Sequence, residues 1–116
     1  MFQLELYETK DGRSPVAEFI DSLDVKMAAK LVGMLELLEE KGTELTMPYT
    51  RHLDDGIFEL RCKFGSNITR TLFFFYVDAK IVVTNGFVKK TQKTPPGEIS
   101  LAKKRRADWI ERNSHR

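Results

Sequence analysis

The stretch that decides the fold is IFELRCKFGSNITRTLFFFYVDAKIVVTNGFVK, residues 57–89. It contains three runs rich in β-branched and aromatic residues, at 57–64, 68–77 and 81–89, and only a few turn-forming residues separate one run from the next. Connections as short as these join antiparallel neighbours. The stretch therefore predicts a three-stranded antiparallel meander.

Upstream of the meander, the pattern predicts one strand and two helices. Apolar and polar residues alternate over 2–7, as they do in a half-buried strand. A Ser-Pro pair at 14–15 offers an N-cap and a first-turn proline, which predicts a short helix over about 15–22. Asp24 can cap a longer second helix, and Gly42 is placed to end it.

The remaining segments complete the predicted element order. Residues 43–56 contain turn-forming and charged residues and are predicted to be a loop. Thr94 and Pro95 predict the start of a last helix over about 95–112. The order β-α-α-β-β-β-α predicts one α+β domain spanning 1–116, with helices packed on one face of an antiparallel sheet.

Composition limits the class of protein. With 41% hydrophobic and 31% charged residues, the 116-residue chain suits a single soluble domain. No apolar run approaches the roughly 20 residues that span a bilayer, and the first residues lack the pattern of a signal peptide. Cys62 is the one cysteine, so no internal disulfide can form. We expect a cytoplasmic protein that does not engage a membrane.

The charges are distributed unevenly along the chain. Residues 1–60 carry 6 basic and 13 acidic side chains, a net charge of −7, whereas residues 61–116 carry 13 basic and 4 acidic side chains, a net charge of +9. A strongly basic half suggests a polyanionic partner. The alternative is that these charges only solvate the surface of the protein.

Arg70 has an unusual position within the apolar run 68–77, because a buried and unpaired guanidinium is costly. It must either pair with an acid such as Glu59 or open onto a cleft. Strand alternation places Cys62 on the predicted core face of the preceding run, and Glu59 and Arg61 on a face that is exposed or lines a groove. Both readings of Arg70 stay open at this point.

Several cations of the meander could converge near neighbouring strand ends. They are Arg61, Arg70, Lys89, Lys90 and Lys93. Arginine binds phosphate through two parallel hydrogen bonds, and lysine adds a mobile point charge. These residue types on a rigid sheet are typical of a phosphate site, although solvated lysines would give the same pattern.

Three segments carry a resemblance to a known family. They are DGIFELR at 55–61, TRTLFF at 69–74 and GFVKKTQKTP at 86–95. Together they resemble the RelE/HigB toxin superfamily, and most closely its branch of phage-derived, HigB-like proteins. The resemblance extends over nearly the whole chain, including the first strand and the predicted helices.

The resemblance implies a fold, an activity and partners. It implies a RelE-like fold and the toxin of a type II toxin–antitoxin system, which enters the ribosomal A site and cleaves mRNA. The implied reaction is attack of an RNA 2′-hydroxyl on the adjacent phosphate, with no metal and no cofactor. It also implies contacts with rRNA and a cognate helix-turn-helix antitoxin of the HigA-like kind that holds the toxin inactive.

The resemblance also implies roles for individual residues. Arg61 and Arg70 match the strand arginines of the family and are expected to bind the scissile phosphate and stabilise its developing charge. Lys89 and Lys90 match the Lys-Lys pair of the motif. One of them is expected to orient or deprotonate the 2′-hydroxyl, or to protonate the leaving oxygen.

Other residues have two readings each. Lys93 would add to the phosphate contacts, and Phe87 either stacks on a base or packs in the core. His52 is either a proton carrier, as in some ribonuclease toxins, or a plain loop residue. Tyr76 is expected to be packed. His115, the second histidine, is expected to be disordered near the C-terminus.

The last helix carries the basic run Lys103, Lys104, Arg105 and Arg106. Contact with rRNA is our interpretation of this run, and a solvated helix face is the alternative. With one cysteine and two distant histidines, the sequence has no metal-ligand spacing.

Two alternative functions remain compatible with the residues and the resemblance. One is a ParE-type toxin, which shares the fold and poisons DNA gyrase. The other is an RNA-binding domain without catalysis. The arginine and lysine set favours cleavage over gyrase poisoning, because a gyrase poison needs no such cluster.

Overall fold

A computed structural model describes residues 2–114, and His115 lies outside the described residues. The fold is α+β, with three helices and five strands. In chain order the elements are β1 (Gln3–Leu6), α1 (Pro15–Asp21), α2 (Val25–Lys41), β2 (Thr50–Asp54), β3 (Ile57–Phe64), β4 (Asn67–Tyr76), β5 (Lys80–Val88) and α3 (Pro96–Ser114). The predicted meander is confirmed as β3, β4 and β5.

The two early helices begin and end where the sequence predicts. Ser14 accepts a hydrogen bond from the amide of Ala17, and Asp24 accepts one from the amide of Met27, each at 3.3 Å. These bonds satisfy amides that lack partners in the first turn of a helix. Gly42 follows α2 with φ +55°, and a Cβ at this position would overlap the ring of Phe2. Only glycine fits there without strain.

The sheet has the order β1-β5-β4-β3-β2 and is mixed. The pairs β2–β3, β3–β4 and β4–β5 are antiparallel, whereas β1 runs parallel to β5. The prediction of an antiparallel sheet is therefore wrong for β1. Its partner lies more than seventy residues away, with Gln3 opposite Lys80, so no local connection reveals the direction of pairing.

The prediction of a loop over 43–56 is also wrong in part, because this segment contains β2. β2 is an edge strand of five residues, and Arg51, His52 and Asp54 are exposed. Charged residues are typical of edge strands, where they discourage pairing with other chains. Because of these charged residues, the sequence of β2 lacks the alternation of apolar and polar residues by which a strand is recognised.

Helices cover both faces of the sheet, which corrects the prediction that they pack on one face. α1 and α2 lie on the first face, where Leu31 and Leu38 contact a core that includes Leu60 and Phe73. α3 lies on the second face, whose core contains Ile57, Leu72, Phe74, Ala102 and Trp109. The physical reason is that β4 is apolar on both sides, so each face must be buried.

Side-chain hydrogen bonds fix α3 across the second face. Trp109 Nε1 donates to Glu5 Oε2 at 2.8 Å, and the hydroxyl of Tyr7 donates to Asp108 Oδ2 at 2.6 Å. Burial raises the pKa of Tyr7, and the Asp108 carboxylate adds to this effect. No helix within residues 2–114 is long and apolar enough to cross a membrane.

Candidate functional site

The register of the meander places the two predicted phosphate-binding arginines side by side. Arg61 of β3 is the direct cross-strand partner of Arg70 of β4, which in turn pairs with Phe87 of β5. Directly opposed residues project from the same face of a sheet. Arg70 lies on the face that α3 covers, with Leu72 and Phe74 of the same strand, whereas Arg61 lies just beyond the last β2–β3 pair, where its amide donates to the Tyr49 carbonyl.

Arg70 forms a buried ion pair with Glu59. Its Nη1 donates to both carboxylate oxygens, at 2.9 and 2.8 Å, and the two side chains are 2% and 0% exposed. The pairing that the sequence left open is thus present. Arg70 Nε is buried and has no hydrogen-bond partner. The carboxylate therefore occupies only one end of the guanidinium.

Glu59 also binds two residues that the sequence did not single out. Thr94 Oγ1 donates to Glu59 Oε1 at 2.6 Å, and Arg51 Nε lies 3.7 Å from Glu59 Oε2 with about half of its side chain exposed. Arg51 lies directly opposite Glu59 in the β2–β3 register. That register would have indicated Arg51 if β2 had been recognised in the sequence.

Thr94 was predicted to cap α3, and that prediction is wrong. The helix begins two residues later, at Pro96, where the Pro95 carbonyl accepts from the Glu98 amide at 3.0 Å. Asn85 of β5 donates to Glu98 Oε1 at 2.9 Å and so joins the first turn of α3 to the sheet. The hydroxyl of Thr94 is therefore free to bind the buried carboxylate.

The structure brings four of the five predicted cations together, and the fifth, Arg61, lies elsewhere. Arg70, Lys89, Lys90 and Lys93 line a cavity of about 160 Å³, which we call the lysine cavity. Phe87, Thr94 and Glu98 also line it. Within residues 2–114 none of the three lysines forms an ion pair, so their charges are available to an anion. A phosphate would meet them together with the buried guanidinium.

Arg61 lines a different cavity of about 370 Å³, which we call the Tyr49 cavity. Its other lining residues are Lys30, Met34, Pro48, Tyr49, Cys62, Lys63 and Ile68. The two arginines are neighbours on the sheet, yet the cavities that they line are distinct.

His52 is not brought to the lysine cavity. In the β2–β3 register it lies opposite Phe58, on the face that α1 and α2 cover, whereas Arg51 lies opposite Glu59 on the other face. His52 Nε2 accepts from the amide of Gly56 at 3.0 Å, and its ring meets Phe58 edge-on. His52 therefore stabilises the turn between β2 and β3.

Phe87 is partly buried against the core beneath α3 and also lines the lysine cavity. Its packing against the core is thus present, whereas stacking on a base stays a prediction. Tyr76 packs edge-on against Trp109, with ring centroids 4.9 Å apart, as expected of a packed residue. Cys62 is a buried core residue, and burial raises the pKa of its thiol.

Most of the basic run on α3 contacts the protein itself. Lys103 pairs with Asp54 at 2.5 Å, and Arg106 pairs with Asp55 at 2.8 Å. Arg105 donates to the Thr84 carbonyl at 2.8 Å, and burial lowers its pKa. Lys104 is exposed. The interactions of the other three residues hold α3 to β2 and β5, which leaves less charge for rRNA than the sequence suggested.

A family model described as phage-derived protein Gp49-like (DUF891) matches residues 18–107. The matched region includes β2 to β5, both cavities and the basic run of α3. No curated protein matches the chain.

Proposed function

The chain belongs to the Gp49-like family of phage-derived proteins, which lies within the RelE/HigB-like toxin superfamily, and from this premise we propose that it is a ribosome-dependent mRNA endoribonuclease. The family is related to toxin–antitoxin systems, which implies an antitoxin partner. Our proposal adds that the fold is RelE-like, that the antitoxin is a HigA-like helix-turn-helix protein, and that the toxin acts in the cytoplasm on mRNA in the ribosomal A site.

The observation that carries this proposal is the geometry of Arg70. Glu59 binds Nη1, and Arg70 lines the lysine cavity together with three lysines that form no ion pair within residues 2–114. A guanidinium has more than one donor nitrogen, so the bond from Nη1 to Glu59 leaves other donors for a phosphate. The arrangement supports a preorganised anion site whose main cation cannot rotate away.

The proposed chemistry needs charge stabilisation, an acceptor for the proton of the 2′-hydroxyl and a donor that protonates the leaving 5′-oxygen. The 2′-oxygen attacks the adjacent phosphorus, the bond from phosphorus to the 5′-oxygen breaks, and the products are a 2′,3′-cyclic phosphate and a 5′-hydroxyl. Arg70 binds the non-bridging oxygens, on which charge develops. The ammonium of Lys89 or Lys90 supplies the proton that the leaving 5′-oxygen takes up, and the other lysine in its neutral form, or a water molecule, accepts the proton that the 2′-hydroxyl loses.

A second candidate is a domain that binds RNA without cleaving it. The observation that favours it is the same ion pair, because a fully buried Arg70–Glu59 pair can be explained by the fold alone. Under this reading the lysines would bind phosphates and no residue would act in a reaction.

Arg70→Lys is the variant that separates these functions. Arg70→Ala would leave the buried Glu59 carboxylate without its buried counter-charge, with only the half-exposed Arg51 at 3.7 Å, which risks unfolding the protein. Arg70→Lys keeps a cation for Glu59 but has no second donor edge. Arg13→Lys is the matched control, because Arg13 also forms an ion pair with a glutamate, Glu18, but this pair is exposed to solvent.

The measurements are growth arrest on induction and the ends of cleaved mRNA from purified ribosomes. We expect wild type and Arg13→Lys to arrest growth and to produce cyclic phosphate ends, and folded Arg70→Lys to do neither. Binding of RNA without cleavage by wild type would favour the second candidate. DNA breaks with intact mRNA would instead identify a ParE-type gyrase poison.

A further inference from the structure

The Tyr49 cavity has a lining that combines positive charge with an aromatic ring. Lys30 from α2 and Arg61 and Lys63 from β3 contribute three cations, and its lining contains no carboxylate. Within residues 2–114 these three cations form no ion pairs, in contrast to Lys103 and Arg106 on α3. The cavity therefore carries net positive charge that the protein does not neutralise.

Tyr49 presents its ring from a fixed backbone. Its amide donates to the Thr46 carbonyl at 2.9 Å, and its carbonyl accepts from the Arg61 amide at 2.8 Å. The residue is nevertheless 47% exposed. An exposed ring held on rigid backbone, with cations beside it, is the combination that binds successive bases and phosphates of a single strand.

The Tyr49 cavity lies next to the lysine cavity. Arg61 of the first is the cross-strand partner of Arg70 of the second. Ile68 lines the Tyr49 cavity, and its carbonyl accepts from the amide of Lys89, which lines the lysine cavity, at 2.8 Å. Neighbouring strands are about 4.8 Å apart, so the pairs Arg61–Arg70 and Ile68–Lys89 join the linings of the two cavities.

We propose that the Tyr49 cavity is a subsite for the nucleotide adjacent to the scissile phosphate. Tyr49 stacks on its base, and Arg61 binds its phosphate with help from Lys30 and Lys63. This inference rests on the proposed function, since it takes the lysine cavity as the place of cleavage. It moves Arg61 from the scissile phosphate to the neighbouring one.

The test is binding of a fluorescein-labelled 2′-O-methyl RNA trinucleotide to the full chain. This RNA lacks the attacking hydroxyl, so affinity is measured whether or not the protein cleaves RNA. We expect Tyr49→Ala to weaken binding roughly 10-fold and Tyr49→Phe to bind like wild type, because stacking needs the ring and not the hydroxyl. Lys63→Ala should weaken binding, whereas Lys26→Ala, an exposed lysine of α2 outside the cavity, should not.

A photo-crosslink locates the base directly. A trinucleotide that contains 4-thiouridine should crosslink to the peptide that contains Tyr49, and this crosslink should be lost in Tyr49→Ala. The subsite is overturned if folded Tyr49→Ala binds as tightly as wild type, if the crosslink lies elsewhere, or if wild type does not bind the trinucleotide.

The same measurements separate failure of the subsite from failure of the proposed function. A wild type that crosslinks at Tyr49 but leaves mRNA intact on ribosomes would retain nucleotide binding at the Tyr49 cavity and lose the nuclease assignment. A wild type that cleaves mRNA while Tyr49→Ala binds normally would retain the nuclease and lose the subsite.

Discussion

Arg70 donates through a single nitrogen, Nη1, to both carboxylate oxygens of Glu59, and both side chains are almost completely buried. A buried pair of this kind gains little stability over an apolar pair of the same shape, but breaking it is costly. The ion pair instead fixes the orientation of the guanidinium, and Arg70 lines the lysine cavity from this fixed position.

Glu59→Gln should strongly destabilise the protein, because Arg70 would stay buried without a counter-charge. We expect the free energy of unfolding to fall by about 3–5 kcal/mol. The measurement is urea unfolding followed by circular dichroism. Glu44→Gln is the control, since Glu44 is exposed in the turn after α2 and its replacement should change little. Equal stability of the two variants would contradict the prediction.

Removal of Lys93 should reduce the salt dependence of RNA binding. Lys93 is exposed, lines the lysine cavity and has no ion pair within residues 2–114, so it can displace counterions from a phosphate. We expect Lys93→Ala to lower the slope of log affinity against log salt concentration by about 0.7 for single-stranded RNA. Fluorescence anisotropy at several salt concentrations measures this slope.

Lys103→Ala is the comparison for that experiment. Lys103 pairs with Asp54 at 2.5 Å, so its charge is already balanced within the protein. The slope for Lys103→Ala should match that of wild type. If Lys103→Ala changes the slope and Lys93→Ala does not, RNA binds along α3 and the lysine cavity is not its site.

Two glycine substitutions should have opposite effects on stability. Gly42→Ala forces a side chain into a conformation suited to glycine, which costs about 1–3 kcal/mol, and its Cβ would also overlap the Phe2 ring. Gly33→Ala, within α2, meets open space and should add about 1 kcal/mol through helix propensity. Thermal unfolding should show a lower Tm for the first variant and a higher Tm for the second.

Acid should remove a contribution that Asp108 makes to stability. The hydroxyl of Tyr7 and the guanidinium of Arg112 both donate to this carboxylate, and these hydrogen bonds lower its pKa. A carboxyl group with a lowered folded pKa stabilises the protein above its ordinary pKa. That contribution is lost as the pH falls through the lowered value.

Asp108→Asn should therefore be less stable than wild type at neutral pH, and the difference in Tm should vanish in strong acid. Thermal unfolding of both proteins across the acidic pH range measures this difference in Tm. Asp21→Asn, at the exposed end of α1, serves as the control. A difference between wild type and Asp108→Asn that is independent of pH would show that the carboxylate charge is not its source.

The sequence predicted the elements that are defined by local patterns. The meander was visible because turn residues separate runs of β-forming residues, and α1 and α2 were visible because Ser14 and Asp24 cap them. The grouping of Arg70 with Lys89, Lys90 and Lys93 followed from strand alternation and order alone.

What the sequence did not predict depends on contacts between distant segments. β2 lacked alternation, and this concealed both the position of His52 and the approach of Arg51 to Glu59. Thr94 has the chemistry of a helix cap, yet a carboxylate 35 residues earlier in the chain binds its hydroxyl. Arg61 lines a cavity other than the lysine cavity, and this could not be predicted because it depends on where α2 and Tyr49 lie in the fold.

The pairing of β1 with β5 has a consequence for the order in which the chain folds. β1 leaves the ribosome first, but Leu4 and Leu6 find their partners only after Ile81 and Val83 have been synthesised. The buried Glu59 likewise lacks one partner until Thr94 has emerged. Contacts this distant in sequence form slowly. The lysine cavity therefore cannot assemble on a nascent chain until synthesis has passed Thr94.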